Sequence, residues 1–493
     1  MLFNSYVFIF AFLPVTTVVY FLLNRFRYTV AAKVWLAAAS LFFYSWWNIA
    51  YLPLILASIT FNFCIGRLLQ VKTAVSAPNL PADDNMPAAD AAKSETAAAS
   101  AMPSLSSRLN RKAVLIIGIV CNLLLLGYYK YADFLIANIN GLTGASLPLL
   151  KLVLPLGISF FTFTQIAYLV DAYKAKSREY NFINYVLFVT FYPHLIAGPI
   201  LHHSEMMPQF DRLRNKIFQL SNVTRGLFVF SIGLFKKVVI ADTFAIYANY
   251  GFDQAQYFVE SWLTSLSYTL QLYFDFSGYT DMAIGAALFF NIRLPDNFNS
   301  PYKALSIQDF WRRWHMTLSR FLLNYIYIPL GGNRKGLPRT LTNLMLTFII
   351  GGLWHGAGWT FLFWGFLHGA ALIVHRLWQK VGKPLPKWLA WFITFQFVNV
   401  AWVFFRAGDW SDAIRILKGM IGLQGFALTR MDFYPQCALL VIAFMLIALF
   451  AKNSGERMAA FRPGWRTAAF MAVAFIVSLL YFNKISEFLY FNF

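Results

Sequence analysis

Charge is scarce in this chain. Only 13% of its 493 residues are Asp, Glu, Lys or Arg, about half the share of an ordinary soluble domain. That shortage argues against a cytosolic globular enzyme. Acidic residues are the scarcer kind, 21 against 41 Lys and Arg, for a net charge of +20. A basic excess alone would suit nucleic acid, but 59% of the residues are apolar and 19% aromatic, and the mean hydropathy is +0.56. Those values point to a lipid bilayer and away from a nucleic-acid partner. In a membrane protein, surplus Lys and Arg mark cytoplasmic loops. Cysteine is nearly missing. Cys64, Cys121 and Cys437 lie scattered in apolar runs, which excludes a disulfide framework and any zinc-type spacing. No HExxH and no GxSxG occurs, so no metal is expected and no serine-hydrolase elbow. A convincing internal repeat is absent too, which disfavours transporters built from duplicated halves.

What the chain does have is long apolar runs of the length that spans a bilayer. They fall at 2–23, 34–50, 51–69, 113–132, 150–170, 182–201, 224–249, 260–290, 340–354, 357–376, 388–405, 436–451 and 467–483. The expected fold class is an all-α polytopic membrane protein with roughly ten to thirteen membrane helices, the broken runs being re-entrant or interfacial. The first run precedes its positive charges, Arg25, Arg27 and Lys33. A signal peptide has the opposite order, so the run reads as a retained span with the N-terminus outside. Basic clusters at Lys174, Lys176 and Arg178, at Arg334, Lys335 and Arg339, and at Arg376, Lys380, Lys383 and Lys387 then mark the cytoplasmic face. Residues 71–112 differ in kind. They are rich in Ala, Ser and Pro and hold no aromatic residue, so they read as a disordered cytoplasmic loop. The loop divides N-terminal membrane helices, 1–70, from a membrane core, 113–493.

The region 271–376 is the most polar and motif-like. Asp275 and Asp281 lie in an apolar run, where carboxylates are functional or paired. An interior ion pair accounts for them equally well. Asn297 and Tyr302 precede Asp309–Phe–Trp311–Arg312–Arg313–Trp–His315, which reads as an amphipathic helix with Trp311 and His315 on one face. Ser306 and Asp309 form a loose capping box there. Arg312 and Arg313 suit phosphates or lipid head groups. Arg334 and Lys335 stand in a basic turn that lacks phosphate-loop spacing, yet such a rim attracts an anionic donor such as coenzyme A. The sharpest feature is Gly351–Gly–Leu–Trp354–His355–Gly356–Ala–Gly358–Trp359. Here a histidine stands in an apolar segment among glycines that admit a close backbone or ligand. A neutral imidazole there serves as a general base, or packs as a hydrogen-bonded core residue. His368 lies 13 residues on and faces away if the helix is continuous. His194, His202 and His203 bracket the break at Pro193–Gly198–Pro199.

Several of these stretches carry a likeness. QLYFDFSGYTDMAIG (271–285), NFNSPYKA (297–304), DFWRRWHMTLSRFL (309–322), YIPLGGNRKG (327–336) and GGLWHGAGWTFLFWG (351–365) resemble the membrane-bound O-acyltransferase family. So do MLFNSYVFIFAFLP at the start, AWVFFRA (401–407) and FLYFNF at the end. The likeness is strongest to the bacterial branch that O-acetylates polysaccharides such as alginate and peptidoglycan. It implies a helical bundle around a central tunnel. Its catalytic histidine falls on His355 and its second motif histidine on His315, with Trp354, Trp359, Asp275, Asp281, Trp311, Tyr302 and Asn297 as tunnel or substrate-binding candidates. It also implies acetyl-CoA as donor, reaching the rim of Arg312, Arg313, Arg334 and Lys335, and a periplasmic partner of the SGNH-hydrolase type. Leu323–Asn324 departs from an Arg-Asp pair frequent in that branch, so no role is carried over to it. The rival readings are a transporter or flippase for an acyl or glycan carrier, a lipid-carrier glycosyltransferase, and an export-complex scaffold.

Overall fold

The computed structural model describes residues 1–70, 110–429, 433–482 and 489. Among these, every regular element is a helix. In chain order the main ones are α1 (Leu13–Arg25), α2 (Thr29–Ser45), α3 (Leu52–Gln70), α4 (Arg111–Lys130), α5 (Ala132–Thr143), α6 (Ile158–Tyr173) and α7 (Phe182–Thr190). Then come α8 (His203–Asp211), α9 (Leu220–Phe235), α10 (Asp242–Gln254), α11 (Phe258–Leu288), α12 (Ile307–Trp311) and α13 (Met316–Leu322). The last are α14 (Gly336–His355), α15 (Trp359–Val381), α16 (Lys387–Arg406), α17 (Trp410–Met420), α18 (Tyr434–Phe450) and α19 (Trp465–Leu480). Among the described residues, five stretches are long and apolar enough to cross a membrane: Phe8–Arg25, Ile49–Gln70, Arg111–Lys130, Trp359–Val381 and Lys387–Arg406. Their exposed side chains are Leu, Ile, Val, Phe and Trp over much of their length, as a lipid-facing surface requires. This is a multi-pass membrane protein.

The bundle is organised around α11. Its 31 residues extend about 46 Å, and from Leu263 to Leu288 nearly every side chain is buried. Helix α9 runs antiparallel against it through two reciprocal glycine pairs. A Cβ on Gly233 would stand 2.5 Å from the Gly278 carbonyl oxygen, and one on Gly278 2.7 Å from that of Gly233. Gly226 and Gly285 meet in the same way, at 2.7 Å in both directions. Small residues of this kind let membrane helices approach backbone to backbone. Just beyond α9 a π-turn, Lys236–Ala241, aims two lysines at α11. Lys237 Nζ lies 2.8 Å from Asp275 and 2.7 Å from Asp242, with all three side chains buried. Lys236 Nζ lies 2.7 Å from Asp281, whose oxygen also accepts from Ser454 Oγ at 2.5 Å. The ion-pair reading of both acidic residues therefore matches their surroundings, and Asp275 further accepts from the backbone N–H of Leu489 at 3.3 Å.

The ends of the bundle are distinguishable. At one end Arg111 donates to the carbonyls of Leu69 (3.1 Å) and Tyr173 (3.0 Å), tying α3, α4 and α6 together. At the other end Lys130 joins the C-terminus of α4 to the N-terminus of α6 and the C-terminus of α14. Arg334 and Lys335 precede α14, so they belong to the Arg111 end.

Most apolar runs became helices near their expected bounds, with instructive exceptions. The run 182–201 breaks after Thr190, because Pro193 and a tight turn follow; a Cβ on Gly198 would stand 2.4 Å from His194 Cα. The run 224–249 is interrupted by the π-turn. Arg111 and Lys112, read as the close of the 71–112 loop, form the first turn of α4, capped by Asn110. The rest of that loop to residue 109 lies outside the described residues. Overpacking costs about 1–3 kcal/mol where it forces backbones apart. Gly285→Ala is therefore expected to lower the unfolding midpoint in detergent, while Gly127→Ala, whose new methyl meets nothing within 4 Å, leaves it unchanged.

Candidate active site

Helix α14 stops at His355 because Gly356 and Gly358 continue in extended conformation before α15 starts at Trp359. The stop folds α15 back against α14. A Cβ on Gly352 would stand 2.4 Å from the Phe361 carbonyl oxygen, and one on Gly365 2.4 Å from that of Phe348, so the hairpin needs glycine at both places. A helix end leaves its last four carbonyls without helical donors. Here each finds one. Gly352 accepts from Gly356 N–H at 3.4 Å. Leu353 accepts from the Tyr131 hydroxyl at 2.7 Å. Lys130 Nζ donates to Trp354 at 2.6 Å and to His355 at 3.0 Å. An ammonium at a helix C-terminus also opposes the negative end of the dipole.

His355 itself is buried. Trp354, Trp364 and Phe405 surround its ring at 4.8, 5.1 and 5.1 Å. It lies within electrostatic range of His315, Lys130 and His368. A cavity of about 50 Å³ opens beside it, lined among others by Lys130, Ser159, Phe160, Ile196, Trp354 and His355.

His315 reaches the same place by another helix break. It was expected on one helix face with Trp311, but α12 ends at Trp311 and α13 starts at Met316. Between them His315 takes a left-handed backbone, φ 42° and ψ 54°, which no continuous helix contains and which costs an L-residue about 1–2 kcal/mol. Its ring is fully buried, 4.7 Å from Phe276 and 6.2 Å from Trp354. Its Nδ1 lies 3.1 Å from Asn297 Oδ1. The capping box at the start of α12 is half formed. Ser306 Oγ accepts from Asp309 N–H at 3.1 Å, but Asp309 reaches Leu305 N–H and not that of Ser306.

The remaining candidates separate by position. Trp354, Asn297 and Trp311 join the histidine cluster. Trp311 Nε1 donates to His368 Nδ1 at 3.2 Å. His368 does not face away, because the helix assumed to be continuous from His355 is broken at Gly356. Its ring is 4.7 Å from Trp364, and its Nε2 has no hydrogen-bond partner among the described residues. Tyr302 is a buried strut, its hydroxyl donating to the Thr269 carbonyl at 2.6 Å. Trp359 is 55% exposed and donates to Asn138, so it stands at the surface. Asp275 and Asp281 are engaged by Lys237 and Lys236. Of the basic rim, Arg312, Arg334 and Lys335 are exposed, while Arg313 is held by Asp309 at 2.9 Å. Leu323–Asn324 lie in a π-turn whose Tyr325 donates to Asp171 at 2.9 Å.

Sequence reading assigned nothing to Lys130 and set His368 away from His355. Lys130 stands near the end of the apolar run 113–132. Its removal takes a donor from two buried carbonyls, and an unsatisfied carbonyl costs about 1–3 kcal/mol. Lys130→Met is expected to lower the unfolding midpoint in detergent, and Lys130→Arg to retain most of it.

Known proteins resemble this chain over its whole length. Residues 104–407 match the membrane-bound O-acyltransferase family. The chain is 45% identical to the peptidoglycan O-acetyltransferase of Helicobacter pylori, over 100% of this chain and 98% of that protein. It is 37% identical to a probable alginate O-acetylase of Pseudomonas aeruginosa, over 91% of this chain and 81% of that protein. It is 27% identical to the teichoic acid D-alanyltransferase of Bacillus subtilis, over 49% of this chain and 66% of that protein. With His315 and His355 brought together inside the matched region, the chain belongs to the membrane-bound O-acyltransferase family and is a multi-pass acyltransferase of the bacterial inner membrane.

Proposed function

We propose that the protein takes acetyl groups from cytoplasmic acetyl-CoA and passes them across the inner membrane for O-acetylation of a cell-envelope polysaccharide. The full-length similarity to a peptidoglycan O-acetyltransferase favours peptidoglycan as the polymer. The observation that carries the reading is the placing of His355. It sits at the far end of α14 from Arg334 and Lys335, about 30 Å along a 20-residue helix. The anionic donor meets the basic end, where positive charge marks the cytoplasmic side. The reacting histidine is withdrawn from it and shielded from water by tryptophan and phenylalanine.

The cavity beside His355, about 50 Å³, has the volume of three to five water-sized probes, at about 10–15 Å³ each. In the reaction an acceptor hydroxyl oxygen bonds to the thioester carbonyl carbon and the carbon–sulfur bond breaks. His355 takes the hydroxyl proton as general base and returns it to the leaving thiolate. His315 positions donor or acceptor. A periplasmic protein of the SGNH type then carries the acetyl group to the polymer. The first region, 1–70, and the core from 113 onward form the membrane bundle, with catalysis in 271–376.

His355→Ala is expected to abolish ester-linked acetate on isolated sacculi while the protein is still made and inserted. Mass spectrometry of sacculi and exopolysaccharide decides it. Unchanged acetate in that variant would remove His355 from the mechanism, and acetate lost from exopolysaccharide alone would exclude peptidoglycan as the polymer.

A further inference from the structure

Four buried groups around His315 form a hydrogen-bond chain whose direction is fixed. The chain starts at the backbone of Ile200, whose N–H donates to Thr317 Oγ1 at 3.1 Å. The Thr317 hydroxyl passes its own hydrogen to Asn297 Oδ1 at 2.9 Å. The same Asn297 atom accepts the Thr317 backbone N–H at 3.2 Å. A backbone N–H only donates, so the atom facing it is the amide oxygen; a flipped amide would set NH₂ against N–H. An oxygen at that point leaves one way to make the 3.1 Å contact with His315 Nδ1: the ring nitrogen carries the hydrogen and donates it. In a neutral imidazole the other nitrogen then bears the lone pair.

We infer that Asn297 and Thr317 are positioning residues that lock His315 in the Nδ1–H tautomer and make Nε2 its hydrogen-accepting atom. The inference rests on the acyl-transfer reading for its consequence, not for its geometry. It narrows what His315 does. A neutral ring with an acceptor at Nε2 cannot donate from that atom to a developing oxyanion. It accepts instead, from the hydroxyl that attacks the thioester or from a neighbouring ring N–H, and so orients the nucleophile. Asn297 also holds the backbone in place. Its main-chain carbonyl accepts from Met316 N–H at 3.0 Å and its side chain from that of Thr317, which caps the start of α13 where the left-handed His315 supplies no cap of its own. Asn297, His315 and Thr317 are each at most 3% exposed, and Ile200 is 4% exposed, so bulk water does not compete for these bonds.

The test is ¹⁵N-histidine NMR on the full chain in bilayers, with the His315 signals assigned by their loss in His315→Gln. The expected pattern is a protonated Nδ1 and an unprotonated Nε2. The opposite pattern overturns the inference, whatever the activity of any variant. In parallel, thiol release from acetyl-CoA is followed for Thr317→Val and Thr317→Ser. The valine variant is expected to lose kcat on the order of 10²-fold, the scale of a misplaced proton-transfer group, with donor KM little changed. Serine, which keeps the hydroxyl, restores kcat. Wild-type kcat in Thr317→Val also overturns it. If acetyl-CoA is not consumed by the parent protein, the acyl-transfer reading fails separately, while the NMR pattern still decides the tautomer.

Discussion

The ammonium of Lys130 and the hydroxyl of Tyr131 hold the last carbonyls of α14, and the arrangement of the site depends on them. Within an apolar interior no water is at hand to satisfy a helix end, and each unsatisfied carbonyl there is costly. Once its end is satisfied from the side, α14 stops where a membrane helix would otherwise continue. His355 then occupies a terminus beside a cavity, not a lipid-facing flank. The chain is also free to double back, and the returning α15 brings Trp364 and His368 to the same spot. Trp311, from a separate helix, is hydrogen-bonded to His368 there.

The second histidine repeats the solution with other atoms. His315 sits between two short helices, and Asn297 supplies from a preceding loop the acceptors that the start of α13 needs. Both motif histidines are therefore carried by interruptions in the helical pattern, each held by a polar residue remote in sequence. Breaks of this kind place a polar group inside the bundle without exposing backbone to lipid. They also expose the ring edge on more sides than a position in mid-helix allows.

The long apolar helices were legible because their length and composition alone require a bilayer; α3, α4, α11 and α16 lie within a few residues of the runs that announce them. Helices α5, α8 and α17 were not, since they are short and mix polar with apolar residues, which a search for long runs passes over. His355 was legible because so few polar groups stand in its neighbourhood. The partners of Asp275 and Asp281 were harder to see. Lys236 and Lys237 stood inside an apolar run, which was itself a signal, but nothing in the spacing says which carboxylate each one meets. His368 was misplaced for a different reason. The angular argument assumed an unbroken helix across Gly356 and Gly358, the two residues that break it.

The paired glycines of α9 and α11 have a mechanical meaning. Gly226 meets Gly285 and Gly233 meets Gly278, seven residues apart on each helix, with carbonyl oxygens where side chains would stand. A side chain at any of these four positions would meet the facing carbonyl, so the two helices touch backbone to backbone at both points. The two helices therefore pack as one plate along this stretch. Any rearrangement that admits a donor or releases a product must be taken up by elements outside that plate.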